Sequence, residues 1–217
     1  MQSSVQIPGR AAPGPAVAAA GTHPRLTIAL HWTSAAIVLL AFGVVWSREL
    51  FDDETPRRLL MTVHQTSGLL ALALLLARLG ARFARPTEAM VPPLPRLLRW
   101  AGWAGHAALY ALLLAMPLLG WALANAHGHP VGLPGLLSLP ALVGPDPDLA
   151  ETIETWHKGL AWVFLATIAS HVGAALYHHF IRRDHVLAAM WPARRRASAR
   201  RPRGFGPQSF PISESFR

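Results

Sequence analysis

The sequence predicts an all-α membrane protein: a bundle of four transmembrane helices with both termini cytoplasmic. Three observations carry that expectation. Only 14% of the 217 residues are charged, where soluble domains carry about a quarter. The apolar 52% is gathered into four runs, each long enough for the roughly 20 residues that cross about 30 Å of hydrocarbon. Most of the charges lie between and beyond those runs.

Residues 1–24 are rich in Ala, Pro, Gly and Ser without helical periodicity and read as a disordered leader. Pro13 and Pro15 interrupt the short apolar stretch that a signal peptide would need. The first span is predicted from about Thr27 to Trp46, the second from Thr62 to Phe83, the third from Leu97 to Leu123 and the fourth from Thr152 to Ile181. Pro117 falls inside the third and should kink it, freeing a carbonyl. Ser47–Met61 reads as a loop. Residues 124–151 read as a longer Pro- and Gly-rich segment that Leu133, Leu136, Leu137 and Leu139 would hold against the membrane surface. The domain thus covers 25–192, and 193–217 form a basic disordered tail.

Basic residues set the orientation. Arg10, Arg25, Arg78, Arg82, Arg85, Arg96, Arg99, Arg182 and Arg183 fall on one side. On the other, Arg48, Arg57 and Arg58 are offset by Glu49, Asp52, Asp53 and Glu54, and no Lys or Arg occurs from Ala122 to Trp156. The first side is therefore cytoplasmic. Trp46, Trp100, Trp121, Trp156 and Trp191 lie near the span ends, as an interfacial belt would. Much of the net charge of +9 sits in the tail, at Arg194, Arg195, Arg196, Arg200, Arg201, Arg203 and Arg217. Beside a membrane such a tail meets anionic lipid, and a nucleic-acid partner is not expected. With no cysteine, disulfides, iron–sulfur clusters, thiolate ligation and covalent haem attachment are excluded.

Ionisable groups inside a span need a reason, and His31, His64, His157 and His171 each lie in one. His157 and His171 are 14 residues apart, which is about 21 Å along a helix and within about 40° of the same azimuth. One face of the fourth span therefore presents an imidazole near each membrane surface. Alternating helix direction gives each a partner at its own depth: His31 with His171, and His64 with His157. The residues four further on are Ala35, Gly68, Ala161 and Ala175, small enough for a flat cofactor to lie against the helices. Zinc takes three or four clustered ligands, whereas separate His pairs suit the two axial positions of a haem iron. Such ligation leaves no open position, so it favours outer-sphere electron transfer. The competing account is hydrogen bonding between helices, or a non-redox transporter using histidines for protons or metal.

The other polar groups are weighed similarly. His106 is assigned to packing or hydrogen bonding, with haem propionate or quinone contact as the alternative. His178 and His179 read as interfacial, His127 and His129 as surface groups. Lys158, the only lysine, either snorkels or draws an anion such as superoxide. Arg78 and Arg82 either snorkel or pair with propionates.

Leu30-His31-Trp32, Val63-His64-Gln65 with Gly68, His106 through Gly120-Trp121 with Tyr110 and Pro117, and His157, His171, Ala174 to Phe180 and Asp184 together resemble the bacterial cytochrome b561 family. This family of diheme membrane cytochromes is related to the b subunits of nickel–iron hydrogenases. The likeness spans roughly residues 22–192. It implies a four-helix bundle with two haem b groups, ligated at the positions of His31, His64, His157 and His171, that exchanges electrons with ubiquinone in the bacterial cytoplasmic (inner) membrane. Some members are superoxide oxidases, so an oxidoreductase is the leading expectation. The alternative is a membrane-anchor subunit serving a partner dehydrogenase or hydrogenase.

Overall fold

The computed structural model describes residues 24–84, 95–133, 135, 137–184 and 186–191. The tail expected over 193–217, and all of the expected leader except Pro24, lie outside them. Helix α1 is Arg25–Ser47, extended by a 3-10 turn at Arg48–Leu50; α2 is Glu54–Ala84, α3 Arg96–Ala126 and α4 Pro147–Tyr177. A two-stranded hairpin, β1 Gly132–Leu133 and β2 Leu137–Ser138, joins α3 to α4. After α4 come a π turn at His178–Arg182 and a short helix, α5, at Val186–Ala189. All four long helices are long and apolar enough to cross a membrane. Most of their surface is exposed, including Leu39, Leu76, Trp162 and Val163 at mid-helix. Large apolar side chains facing outward at those depths suit lipid as the solvent.

Two helix starts lie earlier than hydropathy suggests. α2 begins at Glu54, eight residues before Thr62, so most of the expected Ser47–Met61 loop is helical. Glu54 and Arg58 pair along its first turn, a polar extension that hydropathy cannot register. α4 begins at Pro147, where Asp146 caps it by accepting from the Leu149 N–H and the proline occupies a first-turn position that needs no donor. α3 runs unbroken through Pro117, which deprives the Leu113 carbonyl of its usual partner.

The segment between α3 and α4 forms the hairpin and is tied to the end of α3. Asn125 is buried and ties it down, donating to the His129 carbonyl and accepting from Leu142 N–H. Val131 is buried, and Gly132 lies so close to Leu137 that a Cβ there would stand 2.0 Å from the Leu137 carbonyl oxygen.

One stripe of each helix faces the interior. In α4 it passes through Ile153, His157, Leu160, Phe164, Ile168 and His171, at steps of three or four. Val38, Ala71, Leu112 and Phe164 meet at its centre as the buried core. α1 packs on α2, α2 on α3 and α3 on α4. α4 stands off from α1 and α2: no Cα of α4 comes within 8 Å of either, whereas directly packed helices run with axes about 8–10 Å apart. Side chains alone bridge that interval, among them Phe42 and Phe164 with ring centres 6.0 Å apart.

Candidate functional site

The interval between α4 and its two distant neighbours holds histidines at two depths. His31 of α1 faces His171 of α4 with ring centres 6.3 Å apart and planes at 66°. His64 of α2 faces His157 of α4, also at 6.3 Å, with planes at 82°. All four are half-buried, as are Ala35, Gly68, Ala161 and Ala175 one turn on. Phe164 lies seven residues from each α4 histidine on the same face and separates the two pairs.

This separation can be tested against a cofactor. A metal–imidazole bond of about 2.0 Å, with the ring nitrogen about 1.1 Å from its own ring centre, would set two imidazoles on one iron about 6.2 Å apart, against 6.3 Å in both pairs. The interplanar angle is free, because both rings stand perpendicular to a porphyrin and differ only by rotation about the N–metal–N axis. His64 Nδ1 lies 2.9 Å from the Ala41 carbonyl oxygen. The carbonyl accepts, so Nδ1 carries the proton and Nε2 keeps its lone pair, the outer-shell arrangement that orients a ligating histidine. Beside Gly68 there is space: a Cβ there would meet no atom within 4 Å. Gly120 of α3 backs the His157 ring, whose Cε1 is 3.4 Å from where a Cβ would stand. The geometry of both pairs fits a haem. Among the described residues no group of three or more His, Asp or Glu is gathered as a metal-ion cage.

His106 joins the first pair, its ring centre 5.3 Å from that of His171, too close for an opposed axial pair. Its Nδ1 donates to the Gly102 carbonyl at 2.7 Å, the hydrogen-bonding role expected for it. Arg78 lies over the Tyr110 ring, 5.5 Å from its centre, and Arg82 is exposed. Lys158 is exposed and pairs with Glu154 at 2.6 Å, so its charge is largely offset one turn away. His127 and His129 are exposed in the loop, 6.5 Å apart.

At the His31 end, α1 is tied to the segment that follows α4. Trp32 Nε1 donates to the Met190 carbonyl at 2.8 Å, and the Trp32 and Trp191 rings meet edge to face. His178 and Arg182 both pair with Asp184, which also accepts from the Val186 N–H. Burial would push the Asp184 carboxyl up, but those hydrogen bonds and the two nearby cations hold it below its ordinary value. His179 is exposed.

Sequence reasoning did not find Phe164, although its equal spacing from His157 and His171 was a usable signal. It also missed four buried nitrogens without partners: Arg48 Nε, Arg57 Nε, Trp121 Nε1 and His157 Nδ1. No sequence signal marks these, because burial without a partner depends on how the separate helices pack.

Comparison with known proteins agrees with the geometry. The family described as prokaryotic cytochrome b561 matches residues 22–193. Cytochrome b561 homolog 1 of Escherichia coli (strain K12) is 32% identical over 169 residues, covering 77% of this chain and 96% of that protein. Cytochrome b561 homolog 2 of the same organism is 31% identical over 169 residues, covering 76% and 88% respectively. A Yersinia pestis protein named "Probable superoxide oxidase CybB" is 28% identical over 170 residues, covering 78% and 96%. With its four apolar helices, the chain therefore belongs to the prokaryotic cytochrome b561 family, bacterial membrane electron-transfer proteins that carry b-type haem.

Proposed function

We propose that this chain is a diheme cytochrome of the bacterial cytoplasmic membrane that passes electrons between its two faces and exchanges them with ubiquinone. His31 and His171 ligate one haem b, and His64 and His157 the other. The observation that carries this reading is the recurrence of one imidazole separation, 6.3 Å, at both depths. Bound there, a bis-imidazole haem supplies a one-electron couple without an open coordination position.

The residues do the rest. His64, fixed by the Ala41 carbonyl, presents Nε2 to the interior. Phe42 and Phe164 fill the space between the two depths and exclude water from it. The lipid-facing shell keeps the dielectric low, so charge near either iron acts strongly on its potential. Arg25, Arg96, Arg99, Arg182 and Arg183 gather at the end that holds the start of α1 and the end of α4, which supports a cytoplasmic position for that end.

The relative named as a probable superoxide oxidase supports superoxide as electron donor. Two superoxide anions would each give up one electron, and one ubiquinone would take both with two protons, yielding two dioxygen molecules and one ubiquinol. The test is pyridine haemochrome quantification of the purified chain and of His31→Ala, His64→Ala, His157→Ala and His171→Ala. Two haems are expected in the parent and one in each variant, with the same reduced spectrum within each proposed pair. A parent without haem, or losses that do not sort into those pairs, would overturn the assignment. Superoxide-dependent ubiquinone reduction by the lone chain then separates the oxidase from an anchor subunit.

A further inference from the structure

All four buried, unpartnered side-chain nitrogens among the described residues lie at the His64–His157 end. Arg48 stands in the 3-10 turn that packs on α2. Arg57 stands in the first turns of α2, seven residues before His64 and so two turns away on the same face. Trp121 follows Gly120, the residue against which the His157 ring lies. The three side chains other than His157 are donors only, and two are permanent cations. A buried donor without an acceptor destabilises a fold, and here three such donors accompany one pair of histidines.

The acidic residues nearby do not answer them. Glu154 lies within electrostatic reach of Arg48, but its carboxylate is engaged by Lys158 at 2.6 Å; Glu49, Asp52, Asp53 and Glu54 are exposed, and Glu54 pairs with Arg58 instead. Neither Arg48 nor Arg57 takes part in an ion pair among the described residues. The chemistry that satisfies two guanidinium groups and an indole N–H is a pair of carboxylates, since guanidinium meets carboxylate through a planar fork. Haem b carries two propionate carboxylates on one edge.

We infer that Arg48, Arg57 and Trp121 form a carboxylate clamp for the propionates of the haem held by His64 and His157, fixing its edge toward the 3-10 turn and raising its reduction potential. This rests on the proposed ligation of that haem. The sign follows from charge: reduction adds an electron, so a cation beside the propionates favours the reduced form. At the other pair one half-buried guanidinium, Arg78, lies within electrostatic reach of His31 and His171 and over the Tyr110 ring, Arg82 is exposed, and no buried side-chain nitrogen there lacks a partner among the described residues.

The test is equilibrium redox titration of the purified holoprotein, following each haem's absorption. Arg48→Gln and Arg57→Gln should each shift one haem to more negative potential, and the double variant should shift it further. That haem should be the one lost in His64→Ala and His157→Ala. Arg57→Lys, which keeps charge but not the fork, should recover part of the shift. Arg58→Gln, which alters an exposed and paired arginine, should move neither haem. Trp121→Phe, which removes only the indole donor, should move the same haem in the same direction by less.

The inference fails if Arg48→Gln and Arg57→Gln move the potentials no more than Arg58→Gln does, or if they move the His31–His171 haem instead. It also fails if the parent's potential changes between chloride and sulfate at matched ionic strength and the arginine variants abolish that change, because the donors would then serve a diffusing anion. A parent that binds both haems while the arginine variants behave like Arg58→Gln sinks the clamp and leaves the ligation standing. A parent that binds no haem sinks both.

Discussion

Replacing Gly68 with leucine asks whether the space beside His64 belongs to the protein or to a cofactor. Gly68 lies four residues beyond His64, about 6 Å along α2 and on nearly the same azimuth. A Cβ at this position would meet no heavy atom within 4 Å, so the polypeptide itself has room for a side chain. Glycine also costs a helix interior about 1 kcal/mol relative to a good helix former, so Gly68→Leu should strengthen α2 on local grounds. Carbon atoms pack best at about 3.5–4.0 Å, so a porphyrin face can lie along a glycine backbone at this point and cannot lie through a leucine. The expected result is a chain that accumulates in the membrane at parental levels and carries one haem in place of two. The missing spectrum should be the one lost in His64→Ala. The assay is haem per chain by pyridine haemochrome, with protein measured independently. Retention of both haems with unchanged spectra would refute the claim that a haem lies against this face of α2.

Gly132→Ala should disrupt the α3–α4 hairpin, because its Cβ would sit 2.0 Å from the Leu137 carbonyl oxygen; faster proteolysis between residues 127 and 146 at unchanged haem content would show it. Lys158→Ala should alter stability by no more than about 0.5 kcal/mol, the usual worth of an exposed i,i+4 pair, and should leave the melting midpoint within error of the parent. Asp184→Asn should loosen the C-terminal segment from Trp32, read as faster amide exchange over residues 186–191. Since the Asp184 carboxyl is held below its ordinary value in the fold, its contribution is complete above the ordinary carboxylate range and disappears as pH falls through the depressed value. Exchange over 186–191 should therefore accelerate in the parent on acidification into that range, and should show no such step in Asp184→Asn.

The spans were legible because lipid demands long apolar runs, and the histidine pairing was legible because antiparallel spans fix which residues share a depth. The helix starts were not. Hydropathy reports where lipid begins, while α2 continues into the polar zone through Glu54, Arg57 and Arg58, held by its own hydrogen bonds and an ion pair. The hairpin at Gly132 was hidden for a related reason: Leu133 and Leu137 mark the segment as apolar without showing that they stand opposite each other across a turn. His106 was expected to pack or to hydrogen-bond, without a named partner, and its place beside His171 depends on the rotation of α3, which no spacing within one helix reveals.

The stand-off of α4 has a consequence for biogenesis. Along its length this helix is fastened to the bundle by α3, while toward α1 and α2 it is met by side chains alone. Under the proposed ligation, porphyrin is thus a building material as well as a redox centre, linking the last helix inserted to the first two. Iron supply would then govern how much of the newly made chain survives quality control, and a cell short of haem would lose the protein before it lost the message.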